Sequence, residues 1–207
     1  MSIDVFPSVV LENNNNIYKK LLKELGKEIT KKLVKEKDNI QREIRNVLDF
    51  KLDFSNIPLP VIGELGSPIF YQVMEKAKRI WVDSLIVKII PIRVRALSLM
   101  GGLNIVGVRS DYRDVLNIPG SEFISESGFD IPWLRWMLVD GDDAVIANYR
   151  FVLGGPNSRT GIGSMARSNF GWALTNEYAG DITNNIVIER LRNIEDDITK
   201  IVERRLQ

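Results

Sequence analysis

The hydrophobic positions in the first quarter of the chain follow a helical period. Apolar residues recur at steps of four at Ile17, Leu21, Leu25, Ile29 and Leu33, and at steps of three or four again at Ile40, Ile44 and Val47 or Leu48. Side chains at this spacing share one side of an α-helix, and the asparagines at 13–16 can cap its first turn. The pattern therefore predicts one long amphipathic helix to about Phe50, with a shift of phase near residues 35–39.

A second, shorter amphipathic helix is predicted after a turn-rich connector at residues 53–66, which holds two prolines. Ser67 suits the N-cap and Pro68 the first helical position, where the amide hydrogen that proline lacks would be unpaired anyway. The helical period then runs to about Asp83 through Phe70, Val73, Ala77, Ile80 and Trp81.

Alternating apolar and polar residues predict two antiparallel strands after this helix. Residues 85–90 are rich in branched apolar side chains, as a strand would be, and the alternation covers residues 92–100 and resumes over 103–109. Gly101 and Gly102 separate the two runs, so the turn of a β-hairpin is expected there. Pro91 has no amide hydrogen to give to a neighbouring strand, which indicates a bulge, an edge strand or a strand break.

The second half of the chain alternates short elements with turns. We expect a loop at 111–127, a short helix from Asp130 to Asp140, strands at 144–153 and near 170–174 with a loop at 154–164 between them, and a C-terminal helix from Asp181 or Thr183. In that last helix the apolar residues step by four and three, at Val187, Leu191, Ile194, Ile198 and Ile201. Such a seam packs equally well on the N-terminal helix of the same chain or of a neighbouring subunit.

These elements predict an α+β fold, in which a mixed or antiparallel sheet is flanked by long N-terminal and C-terminal amphipathic helices. The length of 207 residues suits a single domain, 1–207. Its expected parts are an N-terminal helical arm at 1–52, a sheet-containing core at 53–180 and the C-terminal helix at 181–207.

The composition of the chain excludes several kinds of catalytic and metal site. The chain has no cysteine and no histidine, which excludes disulfides, thiol nucleophiles, the commonest zinc ligands and catalytic triads of the Ser-His-Asp or Cys-His type. Carboxylate, lysine or tyrosine chemistry stays open. The net charge is only +1, so any electrostatic function must come from a local patch. No secretory signal and no membrane-spanning segment are expected, which favours a protein made in a cytoplasm.

Two stretches concentrate basic residues. Residues 17–49 contain ten lysines or arginines and six acidic residues, a balance of +4. A solvated helix face is the simplest explanation, and a surface facing polyanionic DNA is the functional alternative. Arg93 and Arg95 lie on one face of the predicted hairpin, where solvation or pairing with carboxylates is commoner than ligand binding.

Two further clusters lack the spacing of the ligand sites they suggest. Asp140, Asp142 and Asp143 surround Gly141, but their order is not that of an EF-hand loop, and a turn between helix and strand explains them without a metal. The glycines at 155–163 are not followed by the lysine of a P-loop. We therefore expect no metal and no cofactor.

The loop at 154–164 is the preferred functional candidate. Arginine is enriched at interface hot spots because it bonds bidentately to carboxylates, and this loop carries Arg159 among glycines and serines. The candidate interface residues are Asn157, Ser158, Arg159, Thr160 and Arg167. The nearby Trp133, Trp136 and Trp172 are expected in the core, since a platform for single-stranded nucleic acid would need more basic residues among them.

A series of short motifs runs in order through residues 111–188. They are Ile131-Pro132-Trp133-Leu134-x-Trp136-x-Leu138, Gly141-Asp142, the strand through Tyr149, Ser158-Arg159-Thr160-Gly161, Met165, Trp172 and Asn184-Asn185. This series resembles the virion structural proteins of tailed bacteriophages, and within them the neck or tail-completion type. The chain departs from the pattern at residues 173–175 and 189–190.

The resemblance implies a non-enzymatic structural subunit of a head-to-tail neck or tail end, which assembles as a homo-oligomeric ring, commonly six-fold, around the DNA channel. It implies other neck or tail proteins as partners, DNA that passes without sequence specificity, and a location in the virion, or in the host cytoplasm during assembly. The alternative function is a nucleic-acid-binding module using the basic N-terminal helix. A carboxylate- or metal-dependent enzyme is a third.

Overall fold

A computed structural model of the chain describes residues 2–5, 15–57, 69–124, 130–140, 149–153, 163–167 and 180–207. The expected α+β class is confirmed. The chain divides into two compact units, of which unit 1 comprises Met1–Phe50, Trp81–Val108 and Asn193–Gln207, and unit 2 comprises Lys51–Ile80 and Arg109–Arg192. These boundaries do not follow the three parts expected from the sequence, and the single domain stays a prediction.

The described elements are five helices and seven strands. The helices are α1 (Asn15–Lys51), α2 (Phe70–Ser84), α3 (Trp133–Leu138), α4 (Ile186–Arg190) and α5 (Ile194–Leu206). The strands are β1 (Ser2–Val5), β2 (Ile86–Arg95), β3 (Ser98–Val106), β4 (Phe123–Ile124), β5 (Asp130–Ile131), β6 (Tyr149–Leu153) and β7 (Gly163–Arg167). The long N-terminal helix and the second helix were both predicted, and the proposed caps Asn13, Asn14, Ser67 and Pro68 lie outside the described residues.

Unit 1 is built on α1 and an antiparallel three-stranded sheet in the order β1-β3-β2. Its core joins the buried side of the helix to one face of the sheet, with Leu33, Ile40, Ile44, Leu48, Val87, Leu103 and Ile105. The sequence pattern explains this arrangement, because odd-numbered positions of β3 carry the apolar side chains that face inward.

The predicted β-hairpin is present, but its turn is not at the glycine pair. The chain reverses at Ala96 and Leu97, which both have positive φ (47° and 65°). Gly101 instead lies inside β3, opposite a bulge that shifts the register between Ile90 and Arg93. A Cβ atom on Gly101 would stand 2.5 Å from the carbonyl oxygen of Pro91. The glycine therefore permits a close approach of two strands rather than a turn. Of the three alternatives expected at Pro91, the structure shows a bulge, and β2 is also an edge strand.

Only part of the expected apolar face of α1 is buried. Leu22 and Leu33 are buried, whereas Ile17, Leu21 and Leu25 are 65%, 56% and 41% exposed. Residues four apart advance about 40° around a helix, so repeated steps of four leave the buried side. Steps of eleven and seven connect the buried Leu22, Leu33 and Ile40, and from Ile40 onwards the buried residues are four apart.

Side chains of α1 also satisfy backbone groups of β2, which is an edge strand of the sheet. The Val87 amide donates to Oε1 of Gln41 at 3.2 Å, and the Ile92 amide donates to Oγ1 of Thr30 at 3.3 Å. Just before the strand, Arg45 donates to two backbone carbonyl oxygens at 3.0 and 3.1 Å. These backbone amides and carbonyl oxygens are therefore hydrogen-bonded within the chain, and they are not available to pair with a strand of another molecule.

The C-terminal helix is divided, in contrast to the single helix expected. Its seam residues are all buried, but Asn193 has φ 62° and separates α4 from α5. The α5 segment packs on α1 of the same chain, where Glu43 accepts hydrogen bonds from Arg204 (2.5 Å) and Arg205 (3.1 Å from Nε). Lys32 also donates to the Leu206 carbonyl oxygen at 2.7 Å.

Unit 2 is held together by a buried asparagine, Asn185. Its Oδ1 accepts from the Tyr112 hydroxyl at 3.0 Å and from the first amides of α4, and its Nδ2 donates to the carbonyl oxygens of Leu138 and Asp181 at 3.1 and 2.8 Å. Asn185 is therefore the N-cap of α4. The prediction that Asp181 or Thr183 opens this helix is wrong, because Asp181 instead accepts from the next amides in a turn.

The short helix α3 buries its first tryptophan as expected. Trp133 is fully buried, and its Nε1 donates to the Gly120 carbonyl oxygen at 2.7 Å. Asp130 does not cap this helix but belongs to β5, and the N-cap position is Pro132, which makes no capping hydrogen bond through its side chain. Trp136 is half-buried, and Trp172 lies outside the described residues.

Candidate functional site

The interface loop preferred from the sequence lies largely outside the described residues. Asn157, Ser158, Arg159 and Thr160 are among the residues that the structure does not describe, and Arg167 stands in β7 opposite Tyr149. The end of the expected loop is different, since Gly163 and Ser164 already belong to β7. The strand expected near residues 170–174 is also outside the described ranges. The interface role of these residues stays a prediction.

Unit 1 exposes two apolar surfaces that the sequence did not single out. The first, here called the helix ridge, consists of Ile17, Leu21 and Leu25 on α1. The second, here called the sheet face, consists of Ile86, Ile90, Met100 and Val106. Large aliphatic side chains that gather on one exposed surface often mark a contact with a partner.

The strand register explains why the sheet face is continuous. Ile86 pairs with Val106, and beyond the bulge Met100 pairs with Arg93, so these residues point to the same side of the sheet. The opposite side carries the residues that pack on α1, including Val87 and Ile105. The exposed basic residues of β2 (Lys88, Arg93 and Arg95) occupy the same side as the apolar ones.

A groove of about 630 Å³ lies between the N-terminal half of α1 and the bulged part of β2. We call it the basic groove, and its lining is Lys19, Leu22, Lys23, Gly26, Lys27, Ile92, Arg93, Val94 and Ala96. Four of these nine residues are cationic and none is acidic, although Arg93 carries its side chain on the sheet face. The signal for it in the sequence is a glycine in the middle of a lysine-rich helix, which allows another segment to approach.

Two aspartates outside the basic groove, Asp140 and Asp111, are paired with arginines. Asp140, from the acidic turn, accepts from Arg135 at 3.0 and 3.1 Å, while Asp142 and Asp143 are outside the described residues. The guanidinium of Arg109 holds the pKa of Asp111 at about 2, because it donates to that carboxylate at 3.0 and 3.1 Å. Within the described ranges, no three acidic side chains are placed to hold a metal ion.

Comparison with known proteins supplies no relative. No family model, no curated protein and no solved structure matches this chain. Among the helices that the structure describes, none combines the length and the apolarity needed to cross a membrane.

Proposed function

We propose that the chain is a non-enzymatic structural subunit of a tailed-phage neck or tail end, and that it assembles as a homo-oligomeric ring around the DNA channel. The motif resemblance supports this class of protein. The observation that supports assembly is that unit 1 exposes two unlike apolar surfaces, the helix ridge and the sheet face. A ring is built from heterologous contacts, in which two different surfaces of each subunit meet.

The energetics favour such a contact. Full burial of one exposed large apolar side chain contributes about 1.5–3 kcal/mol. The seven side chains of the two surfaces are 37–65% exposed, so each has roughly half of that contribution still to gain. The ridge belongs to a helix and the sheet face to paired strands, so both are carried by regular secondary structure. A rigid surface loses little conformational entropy when it docks.

The test is the mass and shape of the purified protein, measured by light scattering and negative-stain imaging. Leu21→Glu removes the helix ridge, and Met100→Glu removes the sheet face. Val34→Glu is the matched control, because Val34 is also an exposed apolar residue of α1 (59%) but lies on another side of the helix. Wild type and control should form rings, and the two surface variants should not.

Mixing the two variants separates a ring contact from a symmetric dimer. A Leu21→Glu subunit keeps its sheet face and a Met100→Glu subunit keeps its ridge, so together they can form one heterologous contact and should yield a heterodimer. A wild type that stays monomeric at high micromolar concentration would refute the ring. Homodimers of either variant alone would point instead to an isologous contact.

The predicted interface loop enters this proposal as a second contact, made to a neighbouring subunit or to the tail tube. Arg159→Ala should weaken assembly and leave the melting temperature nearly unchanged. A large fall in melting temperature would assign Arg159 to the fold instead. Other neck or tail proteins are the proposed partners, and the virion is the proposed location.

The alternative function, a nucleic-acid-binding module, makes a different prediction about the oligomer. Such a module would bind DNA as a monomer with steep salt dependence. A monomer that binds DNA and leaves no density on virions would favour it.

A further inference from the structure

The basic groove has a fixed depth, because α1 and β2 are joined at its floor. A Cβ atom on Gly26 would lie 3.2 Å from Cγ2 of Ile92 and 3.3 Å from Cδ2 of Leu99, so only glycine lets the hairpin approach this closely without displacement. One turn further, the Thr30 hydroxyl donates to the Gly26 carbonyl oxygen at 2.7 Å and accepts from the Ile92 amide. The two walls are therefore held at a defined separation.

The cations along the groove form a regular row. Lys19, Lys23 and Lys27 are four residues apart, which places their Cα atoms about 6 Å apart along the helix axis. Lys27 pairs with Glu24 at 2.7 Å. In the described part of the chain, no carboxylate lies within 4 Å of Lys19, Lys23 or Arg93. Arg93 borders the groove, but the strand register carries its side chain to the sheet face, away from α1.

The excess of positive charge extends along the same helix. Residues 19–35 hold seven lysines and two glutamates, a local charge of +5, although the whole chain carries only +1. Lys31 and Lys35 are exposed but turn away from Lys19, because each step of four residues advances about 40° around the helix. A surface of this kind attracts a polyanion over several repeats rather than one small anion.

We propose that the basic groove binds the phosphodiester backbone of double-stranded DNA without reading its sequence. One strand of B-DNA carries a phosphate about every 3.4 Å along the axis, so a row of lysines about 6 Å apart meets roughly every second phosphate. The polar side chains that α1 brings to the groove are lysines, and lysine contacts with phosphate oxygens hold a protein on the duplex without reading its sequence. An acidic peptide is less well matched, since carboxylates are best recognised by arginine forks.

This inference deepens the proposed function by naming the surface that channel DNA would touch, and it rests on that function for its occupant. The test measures the affinity of the protein for a 30-base-pair duplex by fluorescence anisotropy, at KCl concentrations between about 50 and 200 mM, where phosphate contacts make the affinity depend steeply on salt. The groove variant is Lys19→Gln with Lys23→Gln. The control, Lys76→Gln with Lys200→Gln, removes two exposed lysines elsewhere.

Wild type should bind two unrelated duplexes equally, with affinity falling steeply as salt rises. In the groove variant the slope of log affinity against log salt should be smaller by about 2, since each phosphate contact contributes about 1. The control should keep the wild-type slope. Unchanged thermal melting of each variant would show that it is folded.

The outcomes distinguish this inference from the ring proposal. If the Met100→Glu variant is monomeric and its DNA binding still depends on Lys19 and Lys23, the groove proposal is supported regardless of the oligomeric state of the wild type. Rings that do not bind DNA would contradict the groove proposal and leave the ring proposal intact. The same holds if the groove variant and the control variant have the same salt slope. Binding of poly-glutamate with no binding of DNA would overturn it as well, and would assign the groove to an acidic protein segment.

Discussion

The hydroxyl of Thr30 on α1 accepts a hydrogen bond from the Ile92 amide, in the bulge of β2, at 3.3 Å. This contact ties the edge of the sheet to the helix at a point where the register of the hairpin is shifted. We expect Thr30→Val to lower the free energy of unfolding by about 1–2 kcal/mol, because the amide of a half-buried residue loses its partner. Urea unfolding monitored by circular dichroism measures the change.

Thr30→Ser is the matched control for this prediction. Serine keeps the hydroxyl that accepts from Ile92 and donates to the Gly26 carbonyl oxygen, so it should retain most of the stability. An equal loss in both variants would show that the methyl group, and not the hydrogen bond, is what matters.

Gly101 should tolerate no side chain. It has φ +121°, and an added Cβ would meet the Pro91 carbonyl oxygen at 2.5 Å, so Gly101→Ala combines backbone strain with a steric clash. Strain alone costs about 1–3 kcal/mol. We expect the free energy of unfolding, measured by urea denaturation, to fall by at least that amount. Gly107→Ala is the control, because its Cβ would make only an ordinary contact at 3.8 Å. A Gly101→Ala protein as stable as this control would contradict the bulge geometry.

Asn185 should be among the most sensitive positions of unit 2. Asn185→Ala removes a helix cap, worth about 0.5–2 kcal/mol, and leaves the buried Tyr112 hydroxyl without its partner Oδ1 at 3.0 Å. We expect a loss of about 3 kcal/mol in the free energy of unfolding. Tyr112→Phe should cost about 1 kcal/mol. The exposed neighbour Asn184 provides the control, and Asn184→Ala should change stability by under about 0.5 kcal/mol.

The attachment of α5 to α1 should depend on pH. Hydrogen bonds from Arg205 and Arg204 lower the pKa of Glu43 below its ordinary value of 4.5. A carboxyl group whose pKa is lower in the folded state stabilises the fold above its unfolded pKa, and this stabilisation is lost as pH falls through the folded pKa. Unfolding free energy should thus decline below about pH 5, and the decline should be shallower in Glu43→Gln.

At neutral pH, Glu43→Gln should cost about 1 kcal/mol, since the pair is partly exposed to solvent. Glu203→Gln on the exposed side of α5 should leave both the stability and its pH profile unchanged. An identical acid profile in wild type and Glu43→Gln would mean that other carboxylates dominate acid unfolding.

Local patterns in the sequence identified most elements but not their exact partners. The long helix, the second helix, the bulge at Pro91 and the buried Trp133 all follow from spacing or from the chemistry of one residue. The position of the hairpin turn could not be predicted from the sequence. Gly101 allows two strands to approach closely, but in a single sequence a glycine in this position looks like a turn residue.

The divided C-terminal helix shows a second limit of sequence patterns. Its heptad spacing is correct, and every seam residue is buried. Yet periodicity cannot show that the chain leaves unit 2 and enters unit 1 between Arg192 and Asn193. The Asn185 network and the basic groove were also missed, since each joins residues far apart in the chain, such as Tyr112 with Asn185 and Lys23 with Ile92.

The contact of Glu43 with Arg204 and Arg205 spans more than 160 positions of the chain, and this separation sets an order on biosynthesis. A ribosome makes every residue of unit 2 before it reaches Asn193. Unit 2 can therefore begin to fold on the nascent chain, whereas α1 and its sheet wait for α5 with part of their apolar surface uncovered. During translation, the apolar surface of unit 1 that α5 covers therefore stays exposed until α5 is made, and such exposed surface is prone to aggregation.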